Sequence, residues 1–187
     1  IAGLKESQVE FIQSTDHLCP TQDYGVTFER ATAVTYADRR HVFLSGTASI
    51  DHAGRILHEG DVIRQLDRTL ENIEALLAKA DSNLGDLAAI LVYLRDPADA
   101  AAVRHALDER LGGLPTVVVD APVCRPGWLI EIEGIAIVSH HRPGLPQVRE
   151  GGTEEILLDG DAEAEGKAYF RLGGIDHSAD HAQLLWG

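Results

Sequence analysis

Apolar residues recur at two different periods along the chain, and the switch between them separates strands from helices. From Asp61 onward, Val62, Leu66, Thr69, Leu70, Ile73, Leu76, Leu77 and Ala80 fall at steps of three and four, while Arg64, Asp67, Arg68, Glu71, Glu74 and Lys79 take the remaining positions. That spacing predicts a helix with one apolar stripe. Asp61 suits its N-cap, Gly60 frees the entry turn, and Asp81, Ser82 and Asn83 close it. Residues 28–36 alternate instead, with Phe28, Arg30, Thr32, Val34 and Tyr36 on one side and Glu29, Ala31, Ala33 and Thr35 on the other, which predicts a strand. A polar turn at Asp38, Arg39 and Arg40 leads to a more apolar strand over 41–48, and the two should pair as a hairpin. Residues 9–13 alternate weakly as a short strand, and 14–25 read as loop.

Residues 87–94 (LAAILVYL) form a nearly unbroken apolar run, the signature of an interior strand. Pro97 begins a second helix, with Val103, Ala106, Leu107 and Leu111 among its apolar positions and Gly112 and Gly113 closing it. Two strands follow, over 116–121 and 129–138, separated by a loop rich in Pro, Cys and Arg. The order β-β-helix-β-helix-β-β predicts an α+β fold, a mixed sheet with two helices on one face. The opposite face is then left without cover, a physical reason to expect self-association.

Composition narrows the classes. The chain has 187 residues, enough for one domain with an extension, and 44% hydrophobic with 25% charged residues is ordinary for a globular protein. Sixteen basic against thirty acidic residues give a formal charge of −14, and the basic residues are scattered without interleaved aromatics, which argues against nucleic-acid binding. Cys19 and Cys124 lie far apart, fitting a reducing, cytoplasmic setting rather than a disulfide scaffold. No apolar run reaches the roughly 20 residues of a membrane span, and the first residue is not Met, which suggests a trimmed N-terminus. We expect a domain over 1–138 and an extension over 139–187, in which residues 140–146 are linker, 154–158 are acidic and 168–172 form a small hairpin.

Four segments carry a resemblance to a known family: VFLSGTASID (42–51), GDVIRQLDRTLENIEALLAKA (60–80), LAAILVYLRDPADAAAVRHAL (87–107) and LIEIEGIA (129–136). Together, and in this order, they resemble the YjgF/Rid superfamily of L-PSP endoribonuclease-like proteins across residues 28–138. The resemblance implies a chorismate-mutase-like α+β fold and a homotrimer whose sheets face inward, with small-molecule clefts between subunits. Deaminases of the family grip a substrate carboxylate with an arginine in a Pro-Ala-Arg segment; here the matching residues are Pro115, Thr116 and Val117, and the arginine is absent. The family's ligand-side tyrosine falls near Phe28, the asparagine of its second helix near Arg104, and its last-strand glutamate is kept as Glu131. Losing a bidentate clamp is not a conservative change, so the resemblance leaves deaminase activity in doubt. A second resemblance, through residues 28–31, 46–50, 124–126 and 131–134, is to the Rid-like C-terminal domain of chorismatases, longer enzymes that cleave the enolpyruvyl ether of chorismate with a glutamate as acid/base.

Glu131 and Glu133 are two apart on a strand and share a face, with Ile130 and Ile132 on the other; a carboxyl among apolar neighbours suits a general acid. Arg30, Arg104 and Arg125 are the candidate anion clamps, and Arg30 shares its strand side with Phe28. Ser45, Gly46 and Thr47 offer backbone N–H groups and hydroxyls to a ligand, although Gly46 also fits a close strand contact. Cys124 is a cleft neighbour by position, with no histidine placed beside it by sequence. His177 and His181 have the i, i+4 spacing of half a metal site on a helix, but no third ligand accompanies them, so neither metal nor cofactor is assigned. The expectation is a Rid-like enzyme of hydrolase, deaminase-like or chorismatase-like type that binds a small carboxylate; the competing reading is a ligand-binding or regulatory homologue without chemistry.

Overall fold

The computed structural model describes residues 4–36 and 38–139, together with two short strands near the C-terminus. Six strands form one sheet: β1 (Val9–Ile12), β2 (Ala31–Thr35), β3 (Arg39–Ala48), β4 (Leu87–Leu94), β5 (Thr116–Asp120) and β6 (Ile130–Ser139). Their order is β1-β2-β3-β6-β4-β5, antiparallel except where β4 and β5 run parallel. Helix α1 (Val62–Lys79) connects β3 to β4, and α2 (Ala100–Leu111) supplies the crossover that a parallel β4/β5 pair requires. This is the α+β architecture read from the sequence.

The Asp61 side chain accepts the Arg64 N–H at 3.0 Å and caps α1. The apolar stripe of α1 packs on the sheet through Leu66, Ile73, Leu76 and Leu77, all fully buried, against Val42, Val92, Ile130 and Ile132. Each such side chain contributes about 1.5–3 kcal/mol of burial. Two amides on the same stripe, Gln65 and Asn72, are equally buried. Helix α2 starts after a short turn at Pro97–Asp99 capped by Asp96, buries Val103, Ala106 and Leu107, and stops at Gly112, whose φ of 48° is left-handed. Arg110 of α2 pairs with Asp67 of α1 and ties the helices together.

The helices cover one face of the sheet. On the other, the register lines up Phe11, Thr32, Phe43 and Ile135 across β1, β2, β3 and β6, and Glu133, Leu91 and Val117 across β6, β4 and β5. Phe11 is 65% exposed, Val117 58% and Phe43 42%. The open apolar face expected from the element order is present.

Two boundaries differ from the sequence pattern. Arg39 and Arg40 belong to β3, because the Tyr36 N–H donates to Arg39 O and the reversal is tighter than the polar triplet suggested. β2 begins at Ala31 rather than at residue 28. The β3/β6 register slips between Leu44 and Thr47, and the β2/β3 pairing ends at Ala31 opposite Leu44. Beyond that point Ser45 holds the departing chain, its N–H on Arg30 O and its hydroxyl on Glu29 O.

The chain divides into compact units over Ile1–Leu145 and Pro146–Gly187. In the second, Ile175–His177 pairs antiparallel with Leu184–Trp186. His177 therefore lies on a strand, so a helical i, i+4 relation with His181 does not apply; the segments at 154–158 and 168–172 and His181 itself lie outside the described residues.

Candidate functional site

Beside the β3 bulge lies a cleft of about 340 Å³, at the end of β3 and the start of β6. Where β2 leaves the ladder, Val26, Phe28 and Arg30 form one wall; Gly46, Ala48 and Ile50 of β3 and its continuation form the floor. Glu131 enters from β6, and the loop over 123–129 adds Cys124, Arg125 and Trp128. Six residues named from the sequence, Phe28, Arg30, Gly46, Cys124, Arg125 and Glu131, thus line one cavity.

Glu131 sits opposite Ala48 in the register and points away from the core, whereas its neighbours Ile130 and Ile132 are fully buried. The space it occupies exists because residue 46 has no side chain: a Cβ there would overlap the Glu131 carboxylate. Burial, and then the charge of Glu133, push the Glu131 carboxyl above the usual range for a glutamic acid. Tyr93 lies beside Glu131 on β4 and donates its hydroxyl to Glu133, which raises the phenol in turn.

Two guanidinium groups stand at the cleft, each against an aromatic ring. Arg30 is 4% exposed, lies 5.5 Å from the Phe28 ring centre and donates to the Cys19 carbonyl at 2.9 Å. Arg125 lies 5.1 Å from the Trp128 ring and donates to Gly54 O at 3.0 Å. Cation and carboxyl therefore share the cleft, whose two arginines give it a local sign opposite to that of the chain as a whole.

The remaining named residues lie elsewhere. Arg104 and Thr116 line a small depression between α2 and the start of β5, on the helix-covered side of the sheet. Val117 belongs to the open face, in register with Leu91 and Glu133. Ser45 spends its hydroxyl on Glu29 O, and buried Thr47 donates to Ser45 O; both maintain the bulge. The exposed Cys124 and buried Cys19 are both free thiols.

Several residues that build the site gave no sequence signal. Gln65 donates to Gly127 O at 2.9 Å and accepts the Leu129 N–H at 2.9 Å, and Asn72 donates to Ala48 O and Ile50 O. Arg95 donates at 2.7 Å to Val123 O, Arg125 O and Trp128 O. These polar side chains on apolar elements satisfy loop carbonyls that burial would otherwise leave unpaired. No group of three or more His, Cys, Asp or Glu able to hold a metal occurs among the described residues. Nor is any helix among them long and apolar enough to cross a membrane.

Comparisons with known proteins converge on one family. Residues 29–138 match the family model described as endoribonuclease L-PSP. A 3-hydroxybenzoate synthase of Streptomyces hygroscopicus is 34% identical over 131 residues, which cover 61% of this chain and 38% of the relative. A RutC family protein of Pyrococcus abyssi is 34% identical over 97 residues, covering 51% of this chain and 76% of the relative. A solved chorismatase superposes with a TM-score of 0.59 at 27% identity, covering 68% of this chain and 43% of the other. The chain thus spans less than half the length of the synthase and the chorismatase it matches. With more than half of its length inside the family model and with its α+β sheet, the chain belongs to the endoribonuclease L-PSP family, the YjgF/Rid superfamily that its four ordered segments resemble.

Proposed function

We propose that the protein binds a small planar carboxylate in the Glu131 cleft and acts on it as a hydrolase or lyase of imine, enamine or enol-ether type, with Glu131 as general acid/base. The observation that carries this reading is the glycine-made space for Glu131: a carboxyl with a raised pKa, held in a cleft whose other charged side chains are guanidiniums. A protonated carboxyl donates to a leaving oxygen, or to the carbon of an enol ether or enamine, and the carboxylate left behind activates water. Arg30 and Arg125 supply the planar donors that an anion needs, in place of the family arginine that Val117 replaces. Flat apolar walls from Phe28 and Trp128 favour an unsaturated or aromatic acid over a branched aliphatic one.

The test is turnover by purified protein of chorismate and of a panel of freshly generated 2-imino acids, repeated with Glu131→Gln. The enzyme reading expects the variant to lose turnover while still binding 3-hydroxybenzoate, the acid named in a relative's product. Wild-type protein that turns over none of these substrates would remove both named reactions. The absence of the family arginine favours a second reading, a binding or regulatory protein without chemistry, for which 3-hydroxybenzoate binds and no turnover exists to lose. Ribonuclease activity is disfavoured by the charge of −14 and the scattered basic residues.

Assembly belongs to the same proposal. The open face carries Phe11, Phe43, Leu91, Ile135 and Val117, and a homotrimer would cover it with further copies. Such a neighbour would also bring a second edge to the mouth of the cleft, the route by which Arg104 or Thr116 of another copy would meet the ligand. Free cysteines fit a reducing, cytoplasmic setting.

A further inference from the structure

We infer that Arg95 is a positioning residue for the cleft, a single guanidinium around which the loop bearing Cys124, Arg125 and Trp128 is wrapped. The inference rests on the reading of the cleft as a ligand site. Arg95 follows directly on β4, and its backbone N–H donates to Leu129 O at 2.9 Å, so its base is fixed by the sheet. Its Nε donates to Trp128 O and its Nη2 to both Val123 O and Arg125 O, each at 2.7 Å. Charge-assisted bonds of this length are the strong class, and a planar fork fixes the angles between its acceptors as well as their distances. Three carbonyls from a six-residue stretch therefore converge on one group and set the curvature of the loop.

The loop is also held through Arg125, which donates to Gly54 O at 3.0 Å. Its own backbone contributes one turn, with Trp128 N–H on Arg125 O at 3.0 Å, and Pro122 and Pro126 have no N–H to give. Gln65 anchors the far end through Gly127 O and Leu129 N–H. A Cβ at Gly127 would come to 3.0 Å from Ile56 Cδ1, which would have to give by a few tenths of an ångström. With its carbonyls turned toward Arg95, the loop presents Cys124, Arg125 and Trp128 to the cavity. Arg95 itself is not among the residues lining that cavity, so it acts through the loop rather than on a ligand.

The experiment compares wild type with Arg95→Met and Arg95→Lys by two readouts. The first is amide hydrogen exchange at Trp128 and Leu129, with the amides of Leu70 and Ile73 in α1 as internal reference. The second is affinity for 3-hydroxybenzoate by titration calorimetry. Loss of the fork is expected to speed exchange at the two loop amides and weaken the probe by at least about tenfold each, with α1 unchanged. Arg95→Lys, a point charge without the fork, should recover only part of both. Wild-type exchange and affinity in a folded variant would overturn the inference; so would faster exchange with unchanged affinity, which marks a purely structural role. If Arg95→Met does not fold, the same criteria apply to Arg95→Lys. Wild-type protein that fails to bind the probe would instead overturn the ligand reading, and the positioning claim with it, while the exchange data still report whether Arg95 holds the loop.

Discussion

Replacing Gly46 by alanine tests the site with little disturbance of the fold. Gly46 is not in the left-handed region, so alanine is compatible with the backbone, and loss of glycine in an otherwise tolerant position stabilises by about 0.4–1 kcal/mol through the unfolded chain. The added Cβ, however, falls on Oε1 of Glu131 and within 3.1 Å of its Cδ. Ordinary contact between such atoms needs about 3.5 Å, so the carboxyl must retreat by roughly an ångström or more. The clash is with the free end of a flexible side chain, and rotating it off its preferred angle costs about 0.5–1.5 kcal/mol. The two contributions nearly cancel, so Gly46→Ala should melt within a few degrees of wild type. A reacting group misplaced by that distance costs about 10²-fold in rate. The assay is kcat/KM on whichever substrate the turnover panel identifies, read beside thermal unfolding. A variant of wild-type stability with undiminished kcat/KM would refute the claim that this glycine fixes the acid.

Three further outcomes are expected. The Asp51 carboxyl, held by the Arg55 side chain and by the Arg55 and Ala53 N–H groups, is lowered to about 2; its stabilisation is complete above about pH 4 and fades as pH falls toward 2, so Asp51→Asn should melt lower than wild type at pH 6, the gap closing on acidification. Glu131 has the opposite sign: its raised pKa means that the folded state keeps a proton the unfolded state has lost, so its contribution is complete below about pH 4.3 and is lost as pH rises through the folded value. Glu131→Gln, a mimic of the protonated form, should therefore gain stability relative to wild type between pH 4 and 7, as read by denaturant midpoints. Val117→Asp, on the open face, should shift light scattering at micromolar concentration from the proposed trimer to single chains without unfolding the protein; a trimer that survives this charge would place the interface elsewhere.

Much of the fold was legible because it rests on local pattern. The three- and four-residue steps of α1, the Asp61 cap, the unbroken run of β4 and the alternation of Ile130, Glu131, Ile132 and Glu133 each have one physical solution. The site was legible only in part. Gly46 inside a predicted strand hints at a close contact but not at a register slip, and it is beside that slip that Phe28 and Arg30 lie outside β2 and line the cavity. Arg95, Gln65 and Asn72 look like ordinary polar residues in the sequence, because the partners that tie them to the site are backbone groups 22 to 64 positions away along the chain. Trp128 and Ile50 come from loops whose meeting no periodicity encodes. Arg104 and Thr116 were grouped with Glu131 through the resemblance; within one chain a whole sheet separates them.

That separation ties chemistry to assembly. Glu131 and Glu133 of β6 and Tyr93 of β4 share the face of the sheet that the helices leave open, with Leu91 beside Tyr93 on β4 and Val117 one strand further, on β5. The Glu131 carboxyl is raised by burial first and by the charge of Glu133 second, and any apolar surface laid over that face would remove more water from it. In the proposed trimer a neighbouring copy would therefore do more than complete a pocket: it would hold Glu131 as an acid to higher pH. The two effects of Val117→Asp should then go together, dissociation of the proposed trimer and a shift of the basic limb of the pH–rate profile toward lower pH. A variant that dissociates yet keeps the wild-type limb would show that one chain alone sets the proton affinity of Glu131.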